Sequence, residues 1–108
     1  MNRKQRRAAA KLASPAIQLL ATAVRLHQAG QLVAAEACYR QVLAAQPNLA
    51  KGHYNLGNAL AGQRRLDETV AAYRQAIRIK PDFAEAHSNL GNALTAQAAQ
   101  APATGPWY

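Results

Sequence analysis

Cysteine occurs once in this chain of 108 residues, as do tryptophan, phenylalanine and methionine. A single thiol forms no intramolecular disulfide and suggests no metal site, so a disulfide framework is excluded. Cys38, one residue before Tyr39, reads as a small packing residue. Acids are also scarce: Glu36, Asp67, Glu68, Asp82 and Glu85 are the whole set. There is no Ser/His/Asp spacing of note, no Gly-rich phosphate loop and no His/Cys ligand cluster. The expectation is a non-catalytic chain without cofactor or metal. No apolar run is long enough to span a bilayer. Aromatics make up 6% of the chain while alanine is abundant, which suits closely packed helices better than sheet.

Basic residues are plentiful but uneven. The net charge is +8, and Arg3, Lys4, Arg6, Arg7 and Lys11 stand in the first thirteen residues, with no acid before Glu36. Residues 1–13 read as a basic extension, first of all a solvated helical arm. Binding of nucleic acid or an anionic membrane through this arm is the lesser alternative. The Arg-rich, acid-free start faintly resembles an organellar transit peptide. Leu12 to Val24 is broken by Ser14, Pro15 and Gln18, so it lacks the apolar core of a secretory signal. A cytoplasmic location is expected.

The organising feature is internal repetition. Ala50-Lys51-Gly52-His53-Tyr54-Asn55-Leu56-Gly57-Asn58-Ala59-Leu60 aligns with the eleven residues from Ala84 to Leu94. Eight positions are identical at an offset of 34 residues, and Pro47 and Pro81 share that offset. A fixed period of about 34 residues signals stacked helix–turn–helix units.

With Leu56-Gly57, Tyr73 and Pro81 in one unit and Ala35, Tyr39 and Pro47 in the unit before, the chain resembles tetratricopeptide repeats (TPRs). The resemblance covers about Ala16 to Gln97. It implies an all-α fold of antiparallel helix-turn-helix repeats, stacked as a short right-handed superhelix. The repeat domain is placed at 14–97, with repeats at about 16–49 and 50–83 and a half repeat at 84–97. Residues 98–108 read as an Ala/Pro-rich tail, in which Trp107 and Tyr108 either dock back onto apolar surface or, the first expectation, stay solvated.

The helices follow from spacing and end signals. The first is expected from Pro15 to Ala29, with Ser14 as cap and Pro15 in the first turn, where no N–H is needed. Its apolar residues are Ile17, Leu19, Leu20, Ala23 and Val24. Next come Leu32–Ala45, with Val33, Ala37, Tyr39, Val42 and Leu43 as apolar content, then Leu49–Gln63, Leu66–Ile79 and a helix ending near Gln97. Asp67 and Glu68 oppose the positive end of a helix dipole. Asp82 and Glu85 have the spacing of a reciprocal cap. Gly57 permits close helix approach; in the family a small residue meets it, and that place here holds Thr69. His53 and His87 fall where the family carries bulky packing residues, and are expected to be partly buried. Lone His27 has no partner in sequence.

In TPR arrays the first helices of the repeats line a concave groove. The resemblance places Asn55 and Asn89 on that groove, with Asn58 and Asn92 three residues on. A primary amide offers both donor and acceptor, so a ladder of amides pairs with peptide backbone without reading side chains. The candidate groove comprises Lys51, Tyr54, Asn55, Asn58, Glu85, Ser88, Asn89 and Asn92. Its expected ligand is a partner protein or extended peptide. The competing reading makes the asparagines polar filler bonded to nearby backbone.

Some TPR domains grip a C-terminal carboxylate with cations. The matching places here hold Leu20, Val24, Asn55, Glu85 and Asn89 or, one repeat later, Tyr54, Asn58 and Asn89, so that mode is rejected. The wording His-Ser-Asn-Leu-Gly-Asn-Ala-Leu is similar to the repeats of O-linked N-acetylglucosamine transferases and their bacterial relatives. A substrate-recruiting fragment of such a glycosyltransferase is therefore the alternative function, although no nucleotide-sugar site is recognisable. Two and a half repeats leave Leu90, Ala93 and Leu94 short of cover, since each unit buries its apolar face against neighbours. Self-association as a homodimer through this end, tail docking or a longer parental chain would each answer it.

Overall fold

The computed structural model describes residues 2–5 and 15–100. Ser14 as helix cap, most of the basic extension, and Trp107 and Tyr108 lie outside the described residues. Within residues 15–100 five helices occur in order: α1 Pro15–Gln28, α2 Leu32–Ala45, α3 Ala50–Gly62, α4 Leu66–Ile79 and α5 Ala84–Gln100. No strand occurs among the described residues. Each helix packs on its neighbours in succession: α1 on α2, α2 on α3, α3 on α4, and α4 on α5. The architecture is an all-α helical repeat solenoid.

Two turns explain the hairpins. After α1, the Gln31 and Gly30 amides donate to the carbonyls of Leu26 and His27. After α3, Arg65 and Arg64 donate to Leu60 and Ala61 in the same pattern. This arrangement closes a helix with one left-handed residue, and the positions are Gly30 (φ 79) and Arg64 (φ 62). The second repeat thus makes the same turn without its glycine.

The core is small-on-large. Ala23, Ala35, Tyr39, Leu56, Ala59, Leu60 and Ala72 form one buried cluster, flanked by Leu20, Val24, Leu26, Cys38 and Leu43. Cys38 is thus a half-buried packing residue. On α2, Ala35, Tyr39 and Val42 set the buried face by their spacing. Val33 and Ala37, part of the apolar content of this helix, fall on its other side; Val33 is 71% exposed. Ile17 is likewise an exposed hydrophobic residue of α1.

Three further expectations are corrected. The ring of Tyr73, not Thr69, lies over Gly57: a Cβ there would stand 2.5 Å from Tyr73 Cε1. Thr69 is fully buried and donates its hydroxyl to the Arg65 carbonyl. Asp82 and Glu85 form no reciprocal cap; the Phe83 amide donates to the Lys80 carbonyl and His87 to that of Phe83. Helix α5 also continues three residues past Gln97. Ala98, Ala99 and Gln100 are good helix formers, and Ala98 in the register of Gly30 and Arg64 continues the helix where those two residues end theirs.

Candidate functional site

Helices α3 and α5 are the first helices of successive repeats, and their facing surfaces meet through side-chain amides. Asn89 Nδ2 donates to the Tyr54 hydroxyl at 3.2 Å and to Asn58 Oδ1 at 3.1 Å. Asn58 Oδ1 also accepts from the Tyr73 hydroxyl. The Tyr54 ring packs on Phe83 at 4.9 Å and on Tyr73 at 5.9 Å between centroids. Burial pushes the Tyr73 hydroxyl above its ordinary value, outweighing the nearby Asn89 amide, which lowers it. At neutral pH Tyr73 therefore keeps its proton and donates.

Each of these two amides has one end engaged and one end free. Asn58 Nδ2 and Asn89 Oδ1 have no partner among the described residues, and both residues are half-buried. No fully buried side-chain polar atom is unpaired among the described residues. The free donor and the free acceptor therefore reach solvent. Asn55, also half-buried, makes no side-chain hydrogen bond among the described residues, so its whole amide is open.

The other candidates are less gathered. Asn92 shares with Asn89 a shallow recess bounded by Tyr73, Ala61, Arg64 and Ala96. Lys51, Glu85 and Ser88 are exposed and make no hydrogen bond or ion pair to the remaining candidates among the described residues. Thus Tyr54, Asn58 and Asn89 are joined directly, Asn92 lies beside them, and the other four stand apart from that network.

Two features escaped the sequence reading. The repeated histidines are straps: His53 Nε2 bonds the Pro47 carbonyl at 2.8 Å, and His87 Nε2 bonds that of Pro81 at 2.7 Å. His87 is exposed, not partly buried as expected. The shared 34-residue offset of His and Pro was the available signal. His27 does have a partner, standing edge-on to the Tyr39 ring.

The second missed feature is a charge network on the second helices. Glu36 is 8% exposed. It accepts from Arg65 Nη1 at 2.6 Å, Gln63 at 3.0 Å and Arg40 at 3.0 Å. Glu68 closes the network onto Arg65 and Arg40. Burial pushes the Glu36 carboxyl up, but Gln63, Arg40 and the charge of Arg65 outweigh it and hold it below its ordinary value. The Glu36–Arg40 spacing is visible in sequence; the partners from the next repeat are not. Beside this network an apolar cleft opens between α2 and α4, with Leu43, Leu56 and Ala72 in its lining.

Among the described residues no group of His, Cys, Asp and Glu is arranged to hold a metal ion, and no helix is long and apolar enough to cross a membrane. A search of curated proteins finds no match to the chain. The family profile described as TPR repeat matches residues 23–64 and 63–97, well over half of the sequence. The chain therefore belongs to the TPR repeat family, whose repeats generally serve as protein-interaction modules and are typically non-catalytic scaffolds.

Proposed function

We propose that this chain is an interaction module that holds an extended peptide along the first helices of its repeats, chiefly through peptide backbone. The binding unit is the repeat region, residues 14–97. The observation that carries the reading is the pair of half-engaged amides. Asn58 offers a free N–H and Asn89 a free carbonyl oxygen, each held in orientation by the other and by Tyr54 and Tyr73. An extended backbone presents alternating C=O and N–H groups, which is the complement of that pair. Asn55 adds a third amide with both ends open. Fixing the side chains in advance lowers the ordering cost of binding. The asparagine wording shared with O-linked N-acetylglucosamine transferase repeats supports the same mode of holding a polypeptide. Lys51, Glu85, Ser88 and Asn92 would flank the bound chain and select among sequences.

The test uses an immobilised array of unrelated extended peptides, probed with the intact chain, Asn55→Ala, and Asn55→Ala combined with Asn89→Ala. A net hydrogen bond contributes about 0.5–1.5 kcal/mol. The single variant is expected to weaken binding by roughly two- to tenfold and the double variant by roughly 5- to 100-fold, with helix content by circular dichroism unchanged. Binding that survives the double substitution, or an array on which nothing binds, overturns the reading.

A further inference from the structure

We propose that Trp107 folds back onto the open face of α5 and seats its indole against Gly91, so that the chain's own tail closes the third repeat. Two filled seats set the pattern. In the second repeat the Tyr73 ring lies directly over Gly57. In the first, the matching positions are Ala23 and Tyr39, both buried in one cluster. Gly91 is the third member of the series Ala23, Gly57, Gly91. Among the described residues nothing lies within 4 Å of a Cβ built on it. Sixteen residues separate Ala23 from Tyr39 and Gly57 from Tyr73, and the same step from Gly91 arrives at Trp107.

The surroundings fit an indole. Leu90 is only half-buried and Leu94 is 37% exposed, so apolar area is waiting for cover. Asn58 accepts a hydrogen bond from the Tyr73 hydroxyl; its counterpart Asn92 is exposed and has no side-chain partner among the described residues. An indole N–H is a donor and matches the free oxygen of Asn92.

Reach is sufficient. With a helix rise of about 1.5 Å per residue, Gly91 lies roughly 13 Å back from Gln100. Seven residues separate Gln100 from Trp107, and an extended chain of that length spans up to about 23–25 Å. Because α5 continues through Ala98, the tail returns beyond the usual turn position, and Pro102 and Pro106 favour the extended backbone such a return needs. The rings Tyr39, Tyr73 and Phe83 of a second copy are already buried in their own core and cannot fill this seat.

Trp107 is the single tryptophan, so its fluorescence reports this residue alone. The intact chain is expected to show blue-shifted emission and several-fold weaker acrylamide quenching than the urea-unfolded chain, independent of protein concentration. Gly91→Gln separates the possibilities, since Ala23 beside Tyr39 shows that a methyl alone is tolerated in such a seat. The longer side chain enters open space if the seat is vacant, where glutamine is the better helix former; a docked ring would be displaced by it. The expected result is a red shift to the unfolded emission position and quenching raised to the unfolded level, with helix content retained. Trp107→Ala is expected to lower the melting temperature. Solvent-like emission in the intact chain, or emission indifferent to Gly91→Gln, overturns the proposal. So does shielding that grows with protein concentration, which would assign the seat to a second copy. None of these readings involves bound peptide, so they stand apart from the fate of the groove.

Discussion

Arg64 holds φ at 62°, a conformation that costs an L-residue roughly 1–2 kcal/mol. Its counterpart one repeat earlier is Gly30, which adopts φ 79° without a Cβ to obstruct it. Arg64→Gly is therefore expected to raise stability by about 0.5–1 kcal/mol, after allowing for the greater freedom glycine brings to the unfolded chain. Urea unfolding measures this, and a fall in midpoint would contradict it. Gly57 tests the opposite sign. A methyl there meets the Tyr73 ring, so Gly57→Ala is expected to cost about 1–3 kcal/mol despite its better helix propensity. An unchanged or raised melting temperature would show that the ring gives way. The importance of Gly57 was legible in sequence, but its partner was not. The family pattern pointed to Thr69, whereas the close contact depends on the large ring one turn further along α4.

The spans of α2 and α4 were legible residue for residue, because Gly30, Pro47, Arg65-Leu66 and Pro81 bracket continuous runs of good helix formers. The end of α5 was not, since proline-containing sequence beyond it marks where a helix must stop and not where it begins to fail. Links between elements were also hidden. Glu36 looked like one of five scattered acids, yet it joins α2 to the turn and helix of the next repeat through Arg65 and Gln63. Its depressed folded-state value fixes the sign of a pH effect. The stabilisation is fully present above the ordinary carboxylate value near 4.5 and is lost as pH falls through the lower, folded value. Acid titration of the melting temperature should show this loss, and Glu36→Gln should flatten it. At neutral pH Glu36→Ala is expected to cost about 1.5–3 kcal/mol, the range for hydrogen bonds to charged groups. Identical acid limbs in the parent and Glu36→Gln would contradict the assignment.

At the scale of the whole molecule, each repeat is completed by side chains supplied from its neighbouring elements. Tyr39 lies with Ala23, Tyr73 covers Gly57, and the His53 and His87 straps bind each first helix to the proline turn before it. The stacking was legible from the 34-residue period alone. The amide arrangement was only half legible. Repetition drew attention to Asn55 and Asn89, but the equal offset concealed their difference: Asn89 is engaged by Asn58 and Tyr54, while Asn55 makes no side-chain hydrogen bond among the described residues. Asn58, three residues on from Asn55, accepts from both Tyr73 and Asn89 and so organises the network.

The most direct measurement is a nuclear magnetic resonance titration of the side-chain amides, using the tightest peptide from the array and the same peptide with its backbone nitrogens methylated. The account predicts that the Asn55, Asn58 and Asn89 NH2 signals move with the unmodified peptide and stay in place with the methylated one. Shifts confined to α2 and α4, or equal shifts with both peptides, would contradict it.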